Sequence, residues 1–291
     1  MNATVKFALS MAIFGSIGYF SAKANLPSIE LVFIRCICAC VVLSIVYLFS
    51  KRKKEEIEKK EIGYSVLCGV FLVVNWVFFF RSFEHMSVTV AVSIYHLAPV
   101  LVVLLGSFLY RERITFKLML TVIICFIGTL LVGGMQDYLS IDELMSAGLP
   151  WAFGAALFYA LTTLTGKKIA KLNPVITTII QTSVGIIMLL PFVKWDYFLH
   201  LTGENWFYIL LTGIIHTGFV YYLFFSSLPK LSSGSIAVLV FIDPAVAIFM
   251  DIVLTAYRPD IFQVIGIVLI FWGQTRAAFK RKISEVKEEV F

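Results

Sequence analysis

The chain has 291 residues, 60% of them hydrophobic and only 14% charged, with a mean hydropathy of +0.93. Soluble globular domains carry about 45–50% apolar residues, and a single core of this size cannot hide the excess. A water-soluble fold is excluded, and most of the surface must face lipid.

A hydrocarbon layer about 30 Å thick takes about 20 apolar residues per helix. Apolar runs of that kind fall at 5–22, 29–49, 64–82, 88–110, 116–134, 148–167, 175–193, 206–227, 232–255 and 261–279. They predict ten spanning helices with short connections and no room for a soluble catalytic domain. In the first run, Ala22-Lys23-Ala24 resembles a signal-peptidase site; cleavage there would leave nine spans and spoil the charge alternation, so the run is expected to stay. Cys36, Cys38, Cys40, Cys68 and Cys125 all lie inside apolar runs without CxxC spacing. They read as small buried hydrophobes, not as disulfides or metal ligands.

Lysine and arginine in short connections stay cytoplasmic. One side of a ten-span chain collects nearly all of them: Lys6, Lys51-Arg52-Lys53-Lys54, Lys59, Lys60, Arg111, Arg113, Lys117, Lys167, Lys168, Lys171, Lys230 and the tail from Arg276 to Lys287. The other side has Lys23, Arg81, Lys194 and Arg258, beside Asp137, Asp142, Glu143, Asp196, Glu204 and Asp260. Both termini are therefore expected in the cytoplasm of a multi-pass cell-membrane protein. This one-sided placement also turns the net charge of +6 away from nucleic acid. The mixed-charge stretch 51–61 reads as a solvated helix end.

The chain repeats itself. Span 4 contains Ile94-Tyr95-His96-Leu97-Ala98-Pro99-Val100 and span 9 contains Leu239-Val240-Phe241-Ile242-Asp243-Pro244-Ala245. Each proline is followed by an apolar stretch, a charged connection and a final span with a glycine, Gly128 or Gly266. Ala12-Ile13-Phe14 echoes Ala156-Leu157-Phe158, and Pro27 and Pro174 precede spans 2 and 7. The halves are residues 1–140 and 141–282, with a tail at 283–291. Five spans is an odd number, so the second half enters from the opposite side. The predicted fold class is all-α, with ten transmembrane helices in two inverted five-helix repeats around a central cavity, a design shared by many secondary transporters.

Tyr95-x-x-x-Pro99, the following Leu109-Tyr110-Arg111-Glu112-Arg113-Ile114-Thr115 and Gly128 resemble the EamA-type branch of the drug/metabolite transporter superfamily, over nearly the whole chain. Tyr110 stands where the family pattern has glycine. Thr255-Ala256-Tyr257-Arg258-Pro259-Asp260 lacks the glutamate the second half usually repeats, which speaks against a symmetric glutamate pair. The resemblance implies movement of small metabolites, often amino acids or their relatives, commonly outward.

Polar groups in hydrocarbon are costly and face the bundle interior. Asn75, His96, His216 and Asp243 fall at similar depth, where transporter sites lie. Asp243 fits either a proton or a substrate ammonium, with a kink-fixing structural role as the alternative. His96 and His216 are relay candidates or packing residues. Asn75 is a site residue or interhelical glue. Arg35 and Gln181 lie about two turns inside spans 2 and 7, from opposite faces; Arg35 either binds a carboxylate or snorkels outward to Glu30. Trp76, Tyr95, Tyr159, Tyr222 and Phe241 are cavity-lining or packing candidates, and Pro99 and Pro244 mark gating breaks. Asp251 reads as hydrated near the end of span 9, and Glu112 as a partner of Arg111 and Arg113.

No G-x-x-x-x-G-K-[ST], H-E-x-x-H or G-x-S-x-G motif occurs in the sequence, so ATP hydrolysis and intramembrane catalysis have no motif here. The expectation is a non-enzymatic secondary transporter, an exporter of amino acids or related amines by alternating access. Proton coupling is an open option, and a passive channel, lipid flippase or non-transporting scaffold are the alternatives. Expected partners are a small solute, the bilayer and, if coupled, protons, with a homodimer allowed. No cofactor or metal is expected.

Overall fold

The computed structural model describes residues 2–49, 58–82, 85, 88–132, 148–255 and 258–273. The charged run 51–57, the connection 133–147 with the predicted division at 140, Tyr257, the side chain of Asp251 and the basic tail lie outside the described residues.

Among the described residues, ten helical stretches fill the ten apolar runs. They are α1 (Ala3–Gly15, continuing as Ile17–Ala24), α2 (Ser28–Phe49), α3 (Lys59–Ser82), α4 (Val88–Tyr95 and Ala98–Tyr110), α5 (Phe116–Val132) and α6 (Leu149–Lys167). The second half continues with α7 (Pro174–Leu189), α8 (Gly203–Leu211, a π-helical stretch Thr212–Phe219, then Val220–Ser227), α9 (Ser233–Val240 and Ile242–Thr255) and α10 (Ile261–Gly273). Five helices are long and apolar enough to cross a membrane unaided, six when α1 is taken across its 42° bend; α5, α10 and the second part of α4 are shorter apolar helices. Among the described residues, large apolar side chains are exposed while polar ones are buried within an otherwise apolar interior. Phe108 is 84% exposed, while Asn75, Thr163, Thr178 and Gln181 are buried. That inversion suits a multi-pass membrane protein.

The packing survives exchange of the halves, αn for αn+5. Helix α3 packs on α6 as α8 packs on α1, α3 on α7 as α8 on α2, and α4 on α6 as α9 on α1. The pairs α2–α7 and α4–α9 map onto themselves. So does α5–α10, where a Cβ on Gly128 would lie 2.8 Å from the Gly266 carbonyl and one on Gly266 would lie 2.5 Å from the Gly128 carbonyl. Without a hydrophobic drive between helices in lipid, such backbone-to-backbone approach is a main source of association.

Polar clamps tie the halves at both ends. At the end carrying most of the lysines (the basic end), the Glu61 carboxylate accepts the backbone N–H of Lys171 on both oxygens at 3.0 Å and also that of Leu172. Lys171 itself pairs with Glu58, and that hydrogen bond holds its ammonium above the usual lysine range. At the opposite end, Asn205 Nδ2 donates to the Lys23 carbonyl at 3.1 Å, and Glu30 accepts the Lys194 N–H at 2.9 Å. Helix α4 stops at Arg111, whose φ of 54° is left-handed. The turn aims Glu112 away from its sequence neighbours. Glu112 pairs with Lys167 Nζ at 2.6 Å and accepts Ser233 N–H at 2.8 Å, correcting the expected pairing with Arg111 and Arg113. Tyr110 adds to this latch by donating to the Leu164 carbonyl while Lys167 Nζ sits 4.6 Å above its ring.

Gly128→Val should destabilise the α5–α10 seam by about 1–3 kcal/mol, seen as a lower melting temperature in detergent. Gly18→Ala, with nothing within 4 Å of the added Cβ, should melt like the wild type.

Candidate functional site

Four helices are interrupted at mid-depth, and the interruptions converge. Proline has no N–H, so the carbonyl four residues earlier loses its helical partner. Pro99 and Pro244 therefore release the carbonyls of Tyr95 and Val240, and the first parts of α4 and α9 end at those two residues. His96 and Phe241 occupy the resulting breaks. Helix α1 bends at Ser16, whose Oγ lies 2.9 Å from His216 Nε2 in the π-helical stretch of α8. Gly15 packs directly on the Asp243 carbonyl, with 2.8 Å from an added Cβ to Val246 Cβ. The bend of α1 is thus wedged between the π turn and the break in α9.

Between these breaks stands a wall of rings. Trp76 meets Tyr221 edge-on at 5.6 Å between centroids, Tyr95 meets Tyr159 at 5.7 Å, and Phe14 meets Tyr221 at 5.1 Å. Trp76 and Tyr221 are equivalents under exchange of the halves. Asn75 anchors the wall by donating to the Ala155 carbonyl at 2.7 Å, with a longer 3.4 Å contact to Tyr95 Oη.

A basic and an acidic side chain lie against the wall. Arg35 is 3% exposed; its Nε donates to Thr217 Oγ1 at 3.0 Å, and its guanidinium lies 5.8 Å from the Trp76 ring centre. Glu30 is engaged with Lys194 instead, so the outward pairing with Arg35 does not form. No carboxylate of the described residues is within ion-pair distance of Arg35. Asp243 is half-buried, within electrostatic reach of Tyr95 and Tyr159, and likewise without a hydrogen-bond or ion-pair partner among the described residues.

The remaining candidates divide. His216 is buried, bonded to Ser16 through Nε2, with the Leu211 backbone one π turn earlier within reach of its ring. His96 is buried beside Tyr95. Gln181 is buried in α7 against Gly69 of α3. Phe241 leaves the site: it is fully buried with Val103, Val122, Cys125 and Ile270 on the α5–α10 side. Tyr222 also points elsewhere, half-exposed under Lys6 Nζ at 5.8 Å. Its place is taken by Tyr221, because the π turn before it carries an extra residue and shifts the inward face by about one position, roughly 100°. The repeat contained the clue, since Trp76 and Tyr221 share one register. A separate cavity of about 340 Å³ between α9 and α10 is lined by apolar side chains such as Val246, Phe249 and Phe271, and holds nothing to orient a polar solute.

Residues 3–134 and 146–275 match the EamA-like transporter family. The chain is 51% identical over 282 residues to an uncharacterized transporter, YxxF, of Bacillus subtilis, covering 97% of this chain and 91% of that protein. An uncharacterized transporter of Archaeoglobus fulgidus is 26% identical over 280 residues, 94% of this chain and 97% of its own length. One solved crystal structure superposes with a TM-score of 0.78 at 16% identity, over 94% of this chain and 95% of that one, which establishes a common fold.

An unpaired buried charge is a cost to the fold, and its replacement by an apolar side chain of similar length is often neutral or stabilising. Arg35→Met should therefore melt no lower than wild type in detergent. A melting temperature several degrees lower would mean that Arg35 holds the fold together.

Proposed function

The chain belongs to the EamA-like transporter family of the drug/metabolite superfamily, and on that premise we propose a secondary transporter that exports small amino acids or related amines by alternating access. The observation that carries this reading is the pair Arg35 and Asp243, a basic and an acidic side chain at membrane depth, each without an ionic partner among the described residues and both set against one aromatic wall. Charged groups are retained in hydrocarbon when they serve a path or a ligand. Asp243 offers a counter-ion to an ammonium and Arg35 a planar donor to a carboxylate. The faces of Trp76, Tyr95 and Tyr159 suit a cation or an apolar side chain between the two.

In this conformation the space between the halves toward the basic end is filled by Phe7, Met11, Leu72, Leu164 and Phe224. The Glu112–Lys167–Ser233 latch closes the rim. Rocking of the halves would break this cluster and latch while closing the other end, with the breaks near Pro99 and Pro244 as the deformable points. Asp243 is also the group through which a proton would exchange when no ammonium occupies the site. The charge bias supports a basic end, and with it both termini, on the cytoplasmic side of the cell membrane. Outward movement is carried over from the family resemblance.

A thermal-shift screen of the purified protein against amino acids, amines and nucleosides should yield a cationic or zwitterionic binder. A binder at 100 times its dissociation constant stabilises the fold by about 2.7 kcal/mol. Asp243→Asn should fold normally and lose that shift; a shift of wild-type size in the variant would remove Asp243 from the site. For orientation, Lys168→Cys in a cysteine-free chain should react with an impermeant maleimide only after the cells are opened, and reaction in intact cells would reverse the topology.

A further inference from the structure

Gln181 stands where Arg35 stands once the halves are exchanged. Each lies about two turns, or about 10 Å, inside its helix, and the two enter from opposite ends. Each is admitted by a glycine of the facing helix: an added Cβ on Gly213 would lie 3.4 Å from Arg35 Cα, and one on Gly69 would lie 3.0 Å from Gln181 Cα. Only the polar company differs. Arg35 has Thr217 and the face of Trp76. Gln181 is 1% exposed; only the Cys68 thiol lies beside its amide, and neither the amide nitrogen nor the amide oxygen makes a well-formed hydrogen bond. One turn earlier, Thr177 Oγ1 is also buried and unpartnered. Counted from Gly69 and Gly213 the α3 position facing Gln181 is Val73, and counted from Trp76 and Tyr221 it is Leu72, so α3 has an apolar side chain where α8 has the Thr217 hydroxyl. A thiol already donating to the Thr162 carbonyl is a weak partner, so burying this amide is unfavourable, and a leucine would fill the same place at no such cost.

We propose that Gln181 is a second recognition point for the solute, used when the cavity faces the basic end. There its amide N–H₂ takes the carboxylate that Arg35 holds when the cavity faces the other end. The inference rests on the alternating-access reading above. In the present conformation Ile180 packs against the apolar cluster that fills the basic side, and a solute reaches Gln181 only after the halves part there. A neutral amide holds a carboxylate less firmly than a guanidinium does, so this station is the weaker of the two.

The test needs no identified substrate. Gln181→Cys, in a chain whose five native cysteines are replaced, is exposed in vesicles of either orientation to an impermeant methanethiosulfonate. Labelling is expected from the basic face alone, and about tenfold faster when Glu112→Gln weakens the latch by roughly one charge-assisted hydrogen bond. Labelling from the opposite face, or from neither, while a Tyr159→Cys control reacts, overturns the role of Gln181 and leaves the transporter reading intact. If Tyr159→Cys reacts from neither face, the central cavity is absent and both readings fall. Gln181→Leu supplies the second measurement: its melting temperature in detergent should match or exceed wild type. A drop of several degrees would assign the amide a structural bond and refute the proposal.

Discussion

Hydrocarbon offers no hydrogen bonds, and every feature of this molecule follows from where the chain tolerates that shortage. Backbone groups spanning a bilayer must be satisfied within helices unless they are sheltered by protein or open to a cavity. The chain interrupts its helices at Ser16, at His96-Leu97, in the π stretch 212–219 and at Phe241. All four interruptions sit at mid-depth in the interior, where Arg35, Asp243 and the aromatic wall also lie. Breaks, charges and rings are one construction: the irregular backbone makes room, and the polar side chains use it.

The exchange of halves gives the scaffold its economy and also exposes what is particular to this chain. Equivalent helix pairs pack alike, and the α5–α10 seam is nearly self-symmetric at Gly128 and Gly266. The chemistry is not symmetric. Arg35 is matched by Gln181, the Thr217 hydroxyl by an apolar side chain of α3, and Glu112 has no equivalent carboxylate in the second half. A repeat sets the path, and departures from it give the two ends different properties.

Much of the fold was legible in the sequence because the length of an apolar run is dictated by bilayer thickness, and the prolines marked two of the breaks. The sites of those breaks could be placed by the missing N–H, four residues upstream of Pro99 and Pro244. The bend at Ser16 and the π turn could not, since they arise from contacts between helices far apart in sequence, chiefly Ser16 with His216 and Gly15 with the Asp243 backbone. The π turn in turn explains why Tyr222 read as inward when Tyr221 is. Phe241 was misplaced for a related reason: it occupies a break, where helical projection no longer applies. Glu112 was expected beside its sequence neighbours, but the left-handed Arg111 redirects it across the boundary between the halves.

When Asp243 is ionised, it and Arg35 set opposite charges among the same rings inside the bundle. A zwitterion laid against them presents the opposite dipole and adds no net charge, so its passage would be indifferent to the membrane voltage. A simple amine adds one positive charge, and each charge crossing 100 mV is worth about 2.3 kcal/mol. Without proton exchange the same cavity would run as an electrically silent carrier for zwitterions and a voltage-sensitive one for amines; a proton returning on Asp243 for each amine would make the amine cycle the silent one.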